Sequence, residues 1–393
     1  MKKTKYDLKQ KDEVFRYFAE EGYAIEPFAV EDISSGNMNY VYRAKEWKTG
    51  KTYILKYAAE HTRISEEILV SIDRINIEAS VMMKYSQYVP QYVPRVYRYD
   101  ELNHCILMED YSDYSILRER LSQYEIIPHF AENITSYLVK GVIPTLNIGV
   151  NSESEGNKLQ NMYNPLCETT MTYVFTEPFI RNGSSNDIFE LSKGFIDAEV
   201  YQDHKLLYQI EELKRRFIEK KQALIHGDLH TGSIFIKQSS LIVFDFEFSF
   251  YGPIGFDIGN LLANLIFSWL HARAMGQNEK FMRWVETVIE KTIDLFKNEF
   301  ARELYTLLNN KALYSLEYVQ TYTTDIIRDA AAFAGVELLR RIIGIAHVSD
   351  ITSIGNSDKR EEAERITVKL AKKLIINNEQ FDDGKDFINE MLF

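Results

Sequence analysis

The run Ile225-His226-Gly227-Asp228-Leu229-His230-Thr231-Gly232-Ser233-Ile234-Phe235 is a polar loop between apolar, strand-like flanks. Seventeen positions after Asp228 stands Asp245, in Val243-Phe244-Asp245-Phe246-Glu247-Phe248. Phosphoryl transfer needs such a pairing. One carboxylate orients an acceptor hydroxyl and takes its proton, while a second holds the metal that bridges the phosphates. The spacing is that of an H-x-D loop with a polar metal partner five residues on, followed by an acidic metal ligand. Ser233 occupies the position where asparagine usually stands, and the acidic triplet reads Asp245-Phe246-Glu247. Residues two apart on an extended segment face one side. Asp245 and Glu247 are therefore both expected to reach Mg²⁺, with Ser233 as a third candidate.

Weaker signals surround this pair. Lys56 lies inside the apolar strand Ile54-Leu55-Lys56-Tyr57. A buried lysine is costly unless paired, and Glu78 on the following helix is its natural partner. Together they would set Lys56 against ATP phosphates. The small polar turn Ser34-Ser35-Gly36-Asn37-Met38-Asn39 precedes a strand and could cover phosphates with backbone N–H groups; Gly36, Asn37 and Asn39 are its candidates. Leu107 to Ser112 sits at the expected lobe boundary, where Glu109 and Tyr111 are candidates for the adenine site. Asp257 is expected to cap a helix and brace the acceptor loop. Arg340-Arg341 interrupts an otherwise apolar helix. Adjacent helical residues point about 100° apart, so both cannot face bulk water cleanly; a surface pair is one reading, and a cationic clamp on substrate or transferred phosphate is the sharper one.

The chain around these residues has two textures. Residues 1–112 read as mixed strand and helix, a nucleotide-binding lobe. Residues 113–393 read as mostly helical, a catalytic and substrate-binding lobe. The class is α+β. Tyr40–Glu46 and Thr52–Tyr57 are expected as a hairpin turning at Trp47–Lys51. A helix is expected from about Ser65 to Tyr85, N-capped by Ser65, with Leu69, Ile72, Ile75 and Ala79 as its apolar stripe. Further strands are expected in VPRVYRYD and HCILMEDYS, and later in SIFIK and LIVFDFEF around a turn at Gln238-Ser239-Ser240. The polar stretch from Asn151 to Asn161 breaks the helical pattern.

Composition narrows the function classes. The 393 residues carry a formal net charge of −12, which disfavours nucleic acid as the main partner. The densest basic cluster, Lys214-Arg215-Arg216 with Lys220-Lys221, reads as the solvated face of a helix. Two cysteines, Cys105 and Cys167, make no disulfide framework or CxxC pattern, in keeping with a reducing cytoplasmic setting. The charged start MKKTKYDLKQKDE lacks the apolar core of a signal peptide. Gly252 to Leu270 carries Asp257, Asn260 and Asn264 and reads as a buried helix rather than a membrane span.

These residues resemble the aminoglycoside phosphotransferase and choline kinase superfamily, and within it the 5-methylthioribose kinase family. The matching pieces are GNMNYVY, IDRINIEAS, VPRVY, LMEDYS, NPLCETTMTYVFTEPF, HGDLHTGSIF, EFSFYGPIGFDIG and FAGVELLRRIIGIAHVSD, spread from residue 36 to 350. The HGD loop marks the superfamily. Thr231-Gly232-Ser233, the D-x-E triplet and the twin arginine mark the narrower family, although Phe246 stands where that family has proline. The resemblance implies a two-lobed, protein-kinase-like fold and ATP-dependent phosphorylation of the 1-hydroxyl of 5-methylthioribose in methionine salvage. It implies Asp228 as base, Asp245 and Glu247 as Mg²⁺ ligands, Lys56 on the phosphates, Arg340 and Arg341 at the substrate, and often a homodimer. Two other readings stand beside it: a kinase of this fold acting on an aminoglycoside, choline or another sugar, and a catalytically inactive nucleotide-sensing module.

Overall fold

The structure, a computed structural model, describes residues 6–23, 28–34, 39–62, 65–69, 71–148, 163–276, 278–308 and 315–392. Gly36, Asn37 and the stretch from Asn151 to Asn161 lie outside the described residues. Two compact units divide the chain: Met1–Tyr114 with Ile242–Ser249, and Ser115–Leu241 with Phe250–Phe393.

The first unit is built on an antiparallel sheet. Its strands are β1 (Phe28–Asp32), β2 (Tyr40–Glu46) and β3 (Thr52–Tyr57), then β6 (Val96–Asp100) and β7 (Cys105–Met108), in the order β1-β2-β3-β7-β6. The expected hairpin is there: Val41 faces Lys56 across β2 and β3, and Gly50 closes the turn with a positive φ of 71°, which glycine adopts without steric cost. Helix α1 (Lys11–Glu20) lays Val14, Tyr17 and Phe18 on the sheet's apolar face with Phe28, Tyr42 and Leu55.

The expected helix from Ser65 is corrected. Ser65–Leu69 is strand β5, paired with β4 (His61–Thr62), and helix α2 begins only at Asp73 and ends at Tyr85. The apolar spacing that suggested a longer helix mixed one strand residue, Leu69, with true helix residues Ile75 and Ala79. The physical start signal is Ser71, whose hydroxyl accepts the Asp73 N–H at 3.2 Å, as hydroxyls at helix starts do.

The second unit is mostly helical. Ile254–Met275 is buried along almost its whole length and packs against Leu316–Ile343, which also packs on Ser357–Ile376. Gly259 permits a close approach: a Cβ there would meet the Ala330 carbonyl oxygen and Ala334 nitrogen at 2.7 Å. Two short strands, Ala223–Ile225 and Phe250–Gly252, pair antiparallel at the base of the acceptor loop. The basic cluster proves only partly solvated. Arg215 is exposed between Glu212 and Glu219, but Arg216 and Lys220 reach the buried Asp329 at 3.1 and 2.5 Å. Both cysteines are free thiols. No helix among the described residues is long and apolar enough to cross a membrane.

Candidate active site

The sequence places Lys56 in β3 and Glu78 in α2, and the first unit brings them together. Lys56 Nζ lies 2.7 Å from Glu78 Oε2 and 2.5 Å from Asp245 Oδ1, with Lys56 and Glu78 both buried. Burial works against the lysine's charge. Asp245, Glu78 and Glu247 outweigh it, so Lys56 is held above its ordinary value and stays an ammonium.

The D-x-E segment is not the extended strand expected of it. The strand from Ser240 ends at Val243. Asp245 adopts φ 73°, ψ 53°, and Phe246–Phe248 is a single tight helical turn. Few non-glycine residues adopt the left-handed region, and aspartate is among those that tolerate it best. The two carboxylates therefore converge through a sharp reversal and not through strand alternation. Phe246 is fully buried, its ring 5.5 Å from that of Tyr85. The first position of a helical turn is one that proline also fits, so phenylalanine keeps the turn and adds a buried anchor.

Glu78, Asp245 and Glu247 offer carboxylate oxygens all within 4.8 Å of one another. Glu247 accepts from Asn39 Nδ2 at 2.9 Å and lies 3.6 Å from Arg74 Nε. Arg74, with no exposed surface, also donates to Asn39 Oδ1 and to the Ser71 and Ala59 carbonyls. Burial, and then Asp245, push the Glu247 carboxyl up. Three acids facing two cations, with oxygen donors only, suit a hard divalent cation that would relieve this repulsion. Asn39 thus bonds both Glu247 and Arg74. At the expected adenine segment, the Glu109 N–H is bonded to the Arg95 carbonyl at 2.9 Å, and the Tyr111 hydroxyl donates to Glu109 Oε2 at 2.9 Å.

The acceptor loop belongs to the second unit. Asp257 braces it, accepting the His226 and Gly227 N–H groups at 2.7 and 2.9 Å. Burial raises the Asp257 carboxyl to about 7 against those two bonds. The expected helix cap is corrected: Asp257 lies within the first turns of its helix and does not cap it. The helix begins one turn earlier, where Gln222 Oε1 accepts the Ile254 N–H at 3.0 Å. Asp228 keeps 32% of its side chain exposed, enough to meet a substrate. Burial raises its carboxyl, but His230, Arg340 and Arg341 together hold it well below the ordinary carboxylate range. Ser233 Oγ donates to the His230 carbonyl at 2.8 Å and accepts the His230 N–H at 3.0 Å.

Arg340 and Arg341 converge on one acid that the sequence reading missed. Glu337, 1% exposed, receives Arg340 Nε at 2.6 Å, Arg340 Nη2 at 3.1 Å and Arg341 Nε at 2.7 Å. The signal was present as an acid three and four residues before two arginines, a spacing that places all three on neighbouring helix surface. Arg74 and His230 were missed as well, although both sit inside the motifs that carried the resemblance.

A lysine–glutamate pair beside clustered metal acids, and a braced acid beside a paired arginine clamp, are the equipment of a phosphotransferase. Residues 186–287 match the sequence model of the phosphotransferase enzyme family. The chain belongs, more narrowly, to the methylthioribose kinase family. It is 34% identical over 374 residues to the methylthioribose kinase of Geobacillus kaustophilus (strain HTA426), covering 92% of this chain and 90% of that one. It is 35% identical over 363 residues to that of Geobacillus sp. (strain WCH70), covering 92% and 89%. Among solved structures it is similar to choline kinase from Cryptosporidium parvum Iowa II, with 12% identity over 90% of this chain and 91% of that one and a TM-score of 0.48.

Proposed function

We propose that this chain transfers the γ-phosphoryl group of ATP to the 1-hydroxyl of 5-methylthioribose, within methionine salvage. The observation that carries the reading is Asp228, partly exposed and held ionised beside Arg340 and Arg341, in a chain of this family. Asp228 takes the proton of the acceptor hydroxyl. The acceptor oxygen forms its bond to phosphorus as the bond to the ADP oxygen breaks. Arg340 and Arg341 supply planar donors to the sugar hydroxyls and to charge growing on the moving group. Lys56 acts as a fixed positive charge for the nucleotide phosphates.

Asp245 and Glu247 would hold Mg²⁺, which when bound neutralises phosphate charge. Ser233 remains a candidate third ligand, although its hydroxyl already serves the loop backbone. Glu247→Gln should raise the Mg²⁺ needed for half-maximal rate by roughly ten- to a hundredfold, the scale on which altered metal sites lose affinity. A titration indistinguishable from wild type would remove Glu247 from the metal site.

Substrate identity is tested by ADP release with each candidate acceptor. Methylthioribose should be turned over well, and longer 5-alkylthio analogues tolerably, because one methyl-sized group is worth only about 1 kcal/mol. Kanamycin and choline should give no release, since a paired arginine clamp repels cationic substrates. Efficient turnover of an aminoglycoside would overturn the methylthioribose reading and leave a kinase of the same fold. Nucleotide binding without any acceptor turnover would favour the sensing module. The reading carries a cytoplasmic location and a homodimer, which sedimentation velocity would test.

A further inference from the structure

The acceptor loop holds a chain of side chains that the reading above does not use. His230 Nδ1 accepts the Gly232 N–H at 2.8 Å and faces Arg118 Nη2 at 3.4 Å. Arg118 Nη2 also donates to Asn264 Oδ1 at 3.0 Å, and its Nε reaches Thr231 Oγ1 at 3.4 Å. Amide and guanidinium nitrogens only donate. The imidazole nitrogen they face must therefore present its lone pair, which assigns the ring proton to Nε2. His230 Nε2 lies 3.4 Å from Asp228 Oδ2. Glycine at 232 is what lets a backbone N–H sit against the ring. A Cβ there would come 2.6 Å from His230 Cε1 and 2.8 Å from Nδ1. The Ser233 hydroxyl pins the same histidine's backbone on both its N–H and its carbonyl.

We propose that His230 is a positioning residue for the acceptor-activating carboxylate: fixed as its Nε2–H tautomer by Gly232 and Arg118, it holds Asp228 Oδ2 and leaves Oδ1 to meet the acceptor hydroxyl. The proposal rests on Asp228 being the base. A carboxylate has a broad, two-fold terminal torsion, and a donor set 3.4 Å from one oxygen restricts that freedom. Misplacing a reacting group by about 1 Å can cost on the order of a hundredfold in rate.

Two measurements test this. In steady-state kinetics, His230→Leu should lower kcat by roughly thirty- to a hundredfold, with KM for sugar and nucleotide within about threefold. His230→Gln, whose amide can donate from a similar place, should recover most of the loss. Gly232→Ala should resemble the leucine variant. In long-range ¹H–¹⁵N spectra of the histidine rings, assigned by the loss of one ring in His230→Gln, the wild-type protein should show Nε2 protonated and Nδ1 bare, and Arg118→Leu should erode that preference. A protonated Nδ1 in the wild type would overturn the proposal, as would unchanged kcat in the leucine variant or a loss confined to KM. The spectra need neither a stable leucine variant nor turnover. If the wild type phosphorylates no acceptor while its ring is Nε2–H, the kinase reading fails and the tautomer assignment stands.

Discussion

Asp228→Asn should leave nucleotide binding nearly intact and cut turnover by about 10²–10⁴, the usual contribution of a positioned general base. The substitution keeps the side chain's shape and its ability to accept from His230, but an amide cannot take the acceptor's proton. Because His230, Arg340 and Arg341 hold the carboxyl below its ordinary value against the effect of burial, the wild-type base is ionised throughout the neutral range. Its own titration should therefore put no acid limb on the pH–rate profile above the ordinary aspartate value of about 3.9. Pre-steady-state chemical quench separates phosphoryl transfer from product release. Near-normal turnover in the asparagine variant would remove Asp228 from the mechanism.

Glu337→Gln should strongly destabilise the second unit. One acid, 1% exposed, serves two arginine side chains that are each 10% exposed. In the glutamine variant an NH₂ group replaces one carboxylate oxygen and points a donor at a guanidinium donor. Breaking a buried pair by removing one partner costs about 3–5 kcal/mol, to be read as a lower urea midpoint at pH 7. The sign with pH follows from the acid. Burial raises the Glu337 carboxyl, but Arg340 and Arg341 bring it below its ordinary value. Its stabilisation is thus complete above the unfolded-chain value of about 4.3 and is lost as pH falls through the folded-state value. Wild type and variant should converge in strong acid and differ most near neutrality. Equal midpoints at pH 7 would mean that the arginines find other partners.

How much of this was legible in the sequence depended on whether the signal was local. The hairpin around Gly50 and the loop from His226 to Ser233 could be read because turn chemistry and motif spacing act over a few residues. The pairing of Lys56 with Glu78 was also readable, since a lysine in an apolar strand demands an acid. The start of helix α2 was not, because apolar spacing ran on through the strand Ser65–Leu69, while the true start was a single serine bond. The D-x-E geometry was misread because strand alternation was assumed where the backbone turns left-handed at Asp245. Glu337 was not legible because a twin arginine points outward, to a ligand, whereas both guanidinium charges first need a counter-charge within their own helix.

The segment Ile242–Ser249 belongs to the same compact unit as residues far earlier in the chain. This has a consequence for birth on the ribosome. Chain growth proceeds at about 5–20 residues per second, so the first 114 residues wait on the order of ten seconds before Asp245 and Glu247 exist to meet Lys56 and Arg74. During that interval Lys56 and Arg74, both destined for burial, lack two of the three clustered carboxylates. The nascent N-terminal sheet should therefore remain loose and protease-sensitive until the acids arrive. An N-terminal fragment expressed alone would lack both acids permanently, and with them two of the three carboxylates clustered at Lys56.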